Sequence, residues 1–349
     1  MSDDAIDRSC PVPFSAYEHV TLAHGGGGRV MHRLIAELFR RELASPELDE
    51  AHDGARLRTS GDVVVTTDAF TVSPRWFPGG DLGRLAVHGT VNDLAVSGAV
   101  PRWMTVSFVL EEGLPLAELE RLVRSMGAAA RESGVRVVAG DTKVVERGKG
   151  DGVFITTTGI GEAIGPVVSA SRVRAGDVVL ASGPLGDHGT AVMLAREGLE
   201  VPTGLVSDSA DVSPATRALL EAGLDVRCLR DATRGGFATV VAEIAEAARV
   251  GVRLDGASIP VRPEVADACE LLGLDPLYVA CEGRFVAFVG PADADRALER
   301  LRAIDVSRHA TRVGVVTEDV ASGTVVLAHP YGSERVLDIP SGEQLPRIC

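Results

Sequence analysis

Residues 83–110 read GRLAVHGTVNDLAVSGAVPRWMTVSFVL. Up to residue 97 the apolar side chains recur at helical spacing, which predicts a helix over 83–97. Residues 102–110 then read as a strand. Working outward, the β-branched run 63–67 predicts a buried strand closed by Asp68, and 29–43 a helix carrying Val30, Leu34 and Leu38. A helix over 116–132 and strands over 136–139 and 153–161 follow. Beyond Gly165-Pro166 the pattern restarts, with strands at 177–181, 285–289, 311–316 and 324–327. Helices are predicted at 188–196, 214–222, 236–250 and 292–304. Strands and helices alternate in both halves, so each is an α/β domain: 18–165 and 166–336. Residues 1–17 read as a loose extension, and 337–349 (LDIPSGEQLPRIC), with two prolines and no periodicity, as a mobile tail.

Length and composition agree with two domains. The 349 residues exceed one ordinary core. With 9 Phe, 3 Tyr and 2 Trp, the core must come from Val, Leu, Ile and Ala. The net charge of −14 argues against nucleic acid or an anionic membrane as partner. No run of 18 apolar residues and no apolar leader core occur, which places the protein in the cytoplasm. Five cysteines, at 10, 228, 269, 281 and 349, match no zinc spacing. Cys228, Cys269 and Cys281 read as small buried hydrophobes, whereas Cys349, the last residue, reads as reactive.

His24-Gly25-Gly26-Gly27-Gly28 precedes the first helix; it suits an anion held by main-chain amides, and equally a flexible loop. Asp62, Asp68, Asp93 and Asp141 lie where apolar segments end or are interrupted. Such carboxylates suit Mg2+ against nucleotide phosphates, although each alone also reads as a cap or turn residue. Lys143 adds a cation for the phosphates. Asp231-Ala232-Thr233-Arg234-Gly235-Gly236 offers a second anion nest or an N-cap with its turn. Glu282, flanked by apolar residues, suits proton transfer with a raised pKa, or a surface turn ending at Gly283.

Taken together, HGGGGR (24–29), FPGGDLGRLAVHGTVNDLAVSGA (77–99), VVAGDTKVVERG (137–148), GPLGDHGTAV (183–192), LRDATRGG (229–236), ELLGLDPL (270–277) and the terminal PRIC resemble the HypE family of hydrogenase maturation proteins. These are carbamoyl dehydratases of the AIR synthetase-like (PurM-like) superfamily. The resemblance runs from residue 19 to Cys349. It implies two AIR synthetase-like domains: an N-terminal mixed sheet that pairs with a second copy into a barrel-like homodimer, and a C-terminal α/β sandwich. It further implies that Cys349 receives a carbamoyl group from the carbamoyltransferase HypF. ATP with Mg2+ then drives dehydration to S-cyanocysteine, and the cyanide passes to a HypC-HypD scaffold for the Fe(CN)2CO centre of [NiFe]-hydrogenases. On this reading Glu282 and Lys143 are the candidate bases. Asp62, Asp68, Asp93 and Asp141 hold metal, and His24 to Gly27, Asn92, Asp231, Thr233 and Arg234 contribute to the nucleotide site. The chain departs from the family at Cys281, where the resemblance implies Asn. Twelve extended residues span up to about 40 Å, enough for a travelling cysteine. A selenophosphate synthetase, a thiamine-phosphate kinase, a purine-pathway cyclo-ligase and a non-catalytic cyanide carrier are the competing readings; Cys10, well before the glycine loop and beside Pro11 and Pro13, opposes the first, the terminal cysteine the cyclo-ligase, and the intact acids, Lys143 and glycine loops the carrier.

Overall fold

The computed structural model describes residues 17–50, 54–340, 342, 345 and 347–349. Residues 1–16 of the expected extension, with Cys10, and Pro346 of the terminal motif lie outside that set.

In the first domain, α1 (Arg29–Leu34) runs through a π-helical turn at Ile35–Phe39 into α2 (Arg40–Glu42), so the helix expected over 29–43 is present but locally widened. After α3 (Pro46–Asp49) come β1 (Val63–Phe70), the short pair β2 (Trp76–Phe77) and β3 (Gly80–Asp81), and α4 (Leu82–Val96). Then follow β4 (Ala99–Glu111), α5 (Leu116–Glu132), β5 (Arg136–Val145) and β6 (Val153–Ala163). The sheet order is β1-β6-β4-β5, with β4 and β5 parallel and the other pairs antiparallel. Leu85, Val87 and Val91 of α4 and Leu119, Leu122 and Met126 of α5 join Met104, Val106 and Phe108 of β4 in one core. That packing covers one face only. Along β1 the residues alternate exposed and half-buried, and Val65 is 61% exposed. The expected buried strand is therefore an edge strand with an uncovered face, because among the described residues no helix lies over that side.

Two strand ends also differ from the sequence reading. Neither Asp68 nor Asp141 closes its strand: both lie inside longer ladders, Asp68 opposite Thr157 and Asp141 opposite Ser107.

The second domain holds β7 (Val178–Ala181), α6 (Asp187–Arg196), α7 (Ser213–Leu220), β8 (Val226–Asp231), α8 (Gly236–Ala248), β9 (Gly251–Asp255) and α9 (Pro263–Leu272). It ends with β10 (Phe285–Val289), α10 (Ala294–Arg302), β11 (Thr311–Thr317), β12 (Val325–Ala328) and β13 (Glu334–Leu337). The seven strands run β13-β12-β9-β11-β7-β10-β8. Alternate residues of β7 and β10 enter different cores. Val179, Val286 and Phe288 meet Phe237 and Val241 of α8, while Leu180, Phe285 and Ala287 meet Leu219 of α7 and Leu301 of α10. The sheet is thus a sandwich with helices on both faces, and Cys228, Cys269 and Cys281 are buried as expected. Among the described residues no helix is long and apolar enough to cross a membrane.

Asn92 of α4 joins the domains. Its Nδ2 donates to the carbonyls of Ala210 (2.9 Å) and Glu282 (3.0 Å), and its Oδ1 accepts from Val212 N (2.9 Å). The amide is 2% exposed, so removing it strands three buried main-chain groups. Asn92→Ala should cost about 3 kcal/mol in urea unfolding, against under about 1 kcal/mol for a surface Asn-sized truncation.

Candidate functional site

The site forms where the C-terminal end of β1, helix α4, the end of β8 and the segment before β10 meet. Thr66 of β1 donates from Oγ1 to Asp93 Oδ2 of α4 (2.7 Å), and Arg234, after β8, donates to Asp68 Oδ1 (3.1 Å). Glu282 is 2% exposed. Its N–H donates to Asp208 Oδ1 (3.0 Å), its carbonyl accepts from Asn92, and its Oε1 is buried without a partner. Gly283 makes that placement possible: a Cβ there would fall 1.9 Å from the Asp208 carbonyl oxygen.

Electrostatics follow from crowding. Burial and then Asp231, Asp208, Asp68 and Asp93 push the Glu282 carboxyl well above the usual carboxylate range. Burial and Asp93 raise Asp231, and burial raises Asp93 despite its bond from Thr66. Buried acids whose proton affinity is raised by burial and by one another, with Arg230 and Arg234 opposing, suit proton transfer.

Cys349 lies in this group at 9% exposure. Burial and the neighbouring Glu282 push its thiol up to about 12, with Arg234 opposing them. Its carbonyl accepts from Thr71 N (3.0 Å), one residue past β1. The end of the expected mobile tail is therefore docked against the acids in this structure.

Other expected site residues lie elsewhere. Asp62 is exposed at the start of β1, six residues and about 20 Å of strand from Asp68. Asp141 and Lys143 sit on β5, exposed and 3.8 Å apart. That strand is three steps across the sheet from β1, about 14 Å. The glycine loop goes with them, since a Cβ on Gly25 would lie 2.7 Å from Val144 N. His24 is buried; its Nδ1 accepts from Thr21 N (3.0 Å), and burial lowers its pKa. Asn92 is committed to the domain junction. Thr233 caps the turn into α8, its carbonyl accepting from Gly236 N (2.9 Å). A cavity of about 90 Å³ lined by Ile35, Phe39, Leu48, Phe108, Val137 and Asp141 opens beside this second group.

The candidate residues thus fall into two separate groups: Asp68, Asp93, Asp231, Arg234, Glu282 and Cys349 at the domain junction, and the glycine loop with Asp141 and Lys143 at the β5 edge. Among the described residues no three His, Cys, Asp or Glu side chains form a ready metal cage. The mutual repulsion of Asp68, Asp93 and Asp231 nonetheless suits a hard cation with oxygen ligands. The sequence reading missed His188, Arg196 and Asp208. His188 stands in the quoted segment 183–192, but its partner is a main-chain carbonyl 160 residues away, which leaves no local signal.

Two family models match the chain, AIR synthase related protein, N-terminal domain, over residues 51–163, and its C-terminal domain over 174–326. A two-domain protein related to AIR synthase is the class that fold and site define. The carbamoyl dehydratase HypE of Azotobacter vinelandii is 50% identical over 332 residues, 95% of this chain and 97% of its own. A crystal structure of hydrogenase maturation protein HypE in complex with ATP is 46% identical, with a TM-score of 0.92 over 94% of this chain and 99% of that one. A HypE-HypF complex structure is 42% identical, with a TM-score of 0.77 over 88% and 99%. The chain belongs to the HypE family of carbamoyl dehydratases.

Asp231 binds more protons folded than unfolded between the ordinary aspartate value of 3.8 and about 7, so its contribution to stability falls as pH rises through that window. Asp231→Asn, measured in metal-free buffer, should flatten the fall in unfolding free energy there and leave the variant more stable than the parent at pH 8.

Proposed function

We propose that this protein dehydrates a carbamoyl group on its own Cys349 to the nitrile at the expense of ATP, supplying cyanide for the metal centre of a hydrogenase. The observation that carries the reading is the docked terminal thiol beside Glu282. A thiol held at about 12 is a poor nucleophile, so carbamoyl capture belongs to an undocked tail, at the active site of a HypF-like carbamoyltransferase. Docked, the S-carbamoyl group meets the acids. The overall change breaks the carbon–oxygen bond, removes both nitrogen-bound protons and leaves S–C≡N.

Bound ATP supplies the phosphoryl group that makes the oxygen a leaving group, and Mg2+ supplies positive charge opposite the carboxylates. Asp68, Asp93 and Asp231 would hold that metal. Glu282, which would ionise once a bound cation offsets the acids around it, would accept one of the two nitrogen protons, and the departing phosphate oxygen would take the other. Arg234 faces the same sulfur and steadies charge on the departing oxygen. The nucleotide base takes the apolar cavity beside β5, with Lys143 and the glycine loop toward the phosphates. Delivery of cyanide to a HypC-HypD scaffold completes the cycle.

We also infer that the active protein is a homodimer. An edge-to-edge meeting of β5 with the β1 of a second copy would close the open sheet and bring the two groups to one seam. Val63 and Val65 of the uncovered face, 44% and 61% exposed, become barrel interior.

Incubation with the carbamoyltransferase, carbamoyl phosphate and Mg-ATP should add to the C-terminal peptide the mass of a cyano group replacing the thiol hydrogen, and Cys349→Ala should remove it. Glu282→Gln should halt the product at the carbamoyl stage, slowing dehydration by about 10²–10⁴-fold; undiminished nitrile formation would remove Glu282 from the mechanism. Mixing Lys143→Ala with Cys349→Ala protein should restore part of the activity that each lacks alone, because one mixed site holds both residues. Failure to restore it would place Lys143 in its own protomer's site.

A further inference from the structure

The tail is held by its main chain. Residues 347–349 run antiparallel to residues 71–73, and all three terminal carbonyls have protein donors. The Arg347 carbonyl accepts from Ser73 N (3.2 Å) and from Arg196 Nη2 (2.8 Å). The Ile348 carbonyl meets His188 Nε2 (2.9 Å), and that of Cys349 meets Thr71 N (3.0 Å). Arg196 also donates from Nε to Ser73 O (2.8 Å), so one guanidinium clips the tail to the segment that receives it.

His188 is wholly buried, 2.8 Å from Ser207 Oγ at Nδ1 and edge-on to Phe77. Burial lowers its pKa, so the ring is neutral. Because Nε2 faces a carbonyl it carries the ring proton, and Nδ1 accepts from the Ser207 hydroxyl. Arg347 adopts φ +53°, a left-handed conformation that turns the last two residues inward, while its side chain reaches Thr71 O and Asp151. Ile348 is 3% exposed, an apolar plug behind the sulfur.

None of these bonds touches the sulfur. We infer that His188 and Arg196 are positioning residues that dock the tail through its main chain, so that one dock receives the thiol, carbamoyl and cyano forms of Cys349 alike. The meaning of those forms rests on the proposed dehydratase reading; the dock itself does not. A dock that gripped the sulfur would have to be rebuilt twice per cycle, whereas carbonyl contacts stay the same through all three states.

The test is alkylation of the full-length chain by iodoacetamide, followed by mass analysis of each cysteine peptide. His188→Ala and Arg196→Ala should each speed alkylation of Cys349 about tenfold, roughly the factor for one net hydrogen bond. His188→Gln, which keeps an N–H for the Ile348 carbonyl, should stay near the parent rate. Cys228, buried in the other domain's core, should be unaffected in every variant. In single-turnover assays nitrile formation should fall by the same factor in the two alanine variants, with the nucleotide dissociation constant unchanged. Unaltered Cys349 alkylation, a glutamine variant as reactive as the alanine one, or a parallel rise at Cys228 would overturn the dock. Should the parent make no nitrile while the alkylation pattern holds, the dehydratase reading falls and the dock stands.

Discussion

Glu282 sits under the heaviest constraint in this molecule. Its carboxyl is buried with one oxygen unpartnered, among Asp231, Asp208, Asp68 and Asp93. An ionised carboxylate there is costly, so the group keeps its proton. The surroundings hold it by main chain instead: Asp208 takes its N–H, Asn92 its carbonyl, and Gly283 lets the Asp208 backbone approach. Both domains contribute, since Asn92 and Asp93 come from α4 and Asp231 from β8. The acid pocket therefore exists only while the domains are joined, and the three hydrogen bonds of Asn92 maintain the pocket as well as the junction.

The same crowding governs the thiol. Cys349 has its proton held by burial and by Glu282, which makes the docked residue unreactive toward electrophiles. A site that suppresses its own nucleophile suits chemistry on a group already attached to sulfur, and poorly suits attaching that group. On the proposed reading, function is divided in space: capture outside, dehydration inside. Main-chain docking by His188 and Arg196 makes the two positions compatible, because a tail that is gripped by carbonyls can leave and return with its sulfur changed.

Much of this was legible in the sequence, and the limits have physical causes. Helices α4, α5, α6 and α8 were foreseen to within a few residues, because their apolar faces repeat at the helical period. Strands β8, β9 and β13 and helix α9 were not read from the sequence. In β8, Arg227 and Arg230 interrupt the apolar run, and β13 is a short edge strand with three exposed residues. Glu282, Asp93, Asp231 and Arg234 could be singled out as acids or nests beside apolar segments. Which acids share a pocket could not: Asp62 and Asp68 are six residues apart in sequence yet about 20 Å apart along the strand, while Asp93 and Glu282 come together across two domains. His188 escaped because its task is to meet a carbonyl, and any tail sequence would offer one.

The open sheet explains why the candidate residues of one chain fall into two groups. In the order β1-β6-β4-β5, Asp68 and Lys143 are carried by opposite edge strands, and no side-chain rotation spans about 14 Å. Lys143 is also exposed on the face that no helix covers, as are Val65 and Ala69. An uncovered face with apolar residues at an unpaired edge is an aggregation hazard unless something closes it. A second copy of the same sheet meets that need with the surface already present. On the proposed dimer, the glycine loop and β5 of one chain would come to the same seam as the acids and terminal cysteine of the other, as the proposed phosphoryl transfer to a thiol-borne carbamoyl group requires. On this argument closing the sheet and completing the site are a single event.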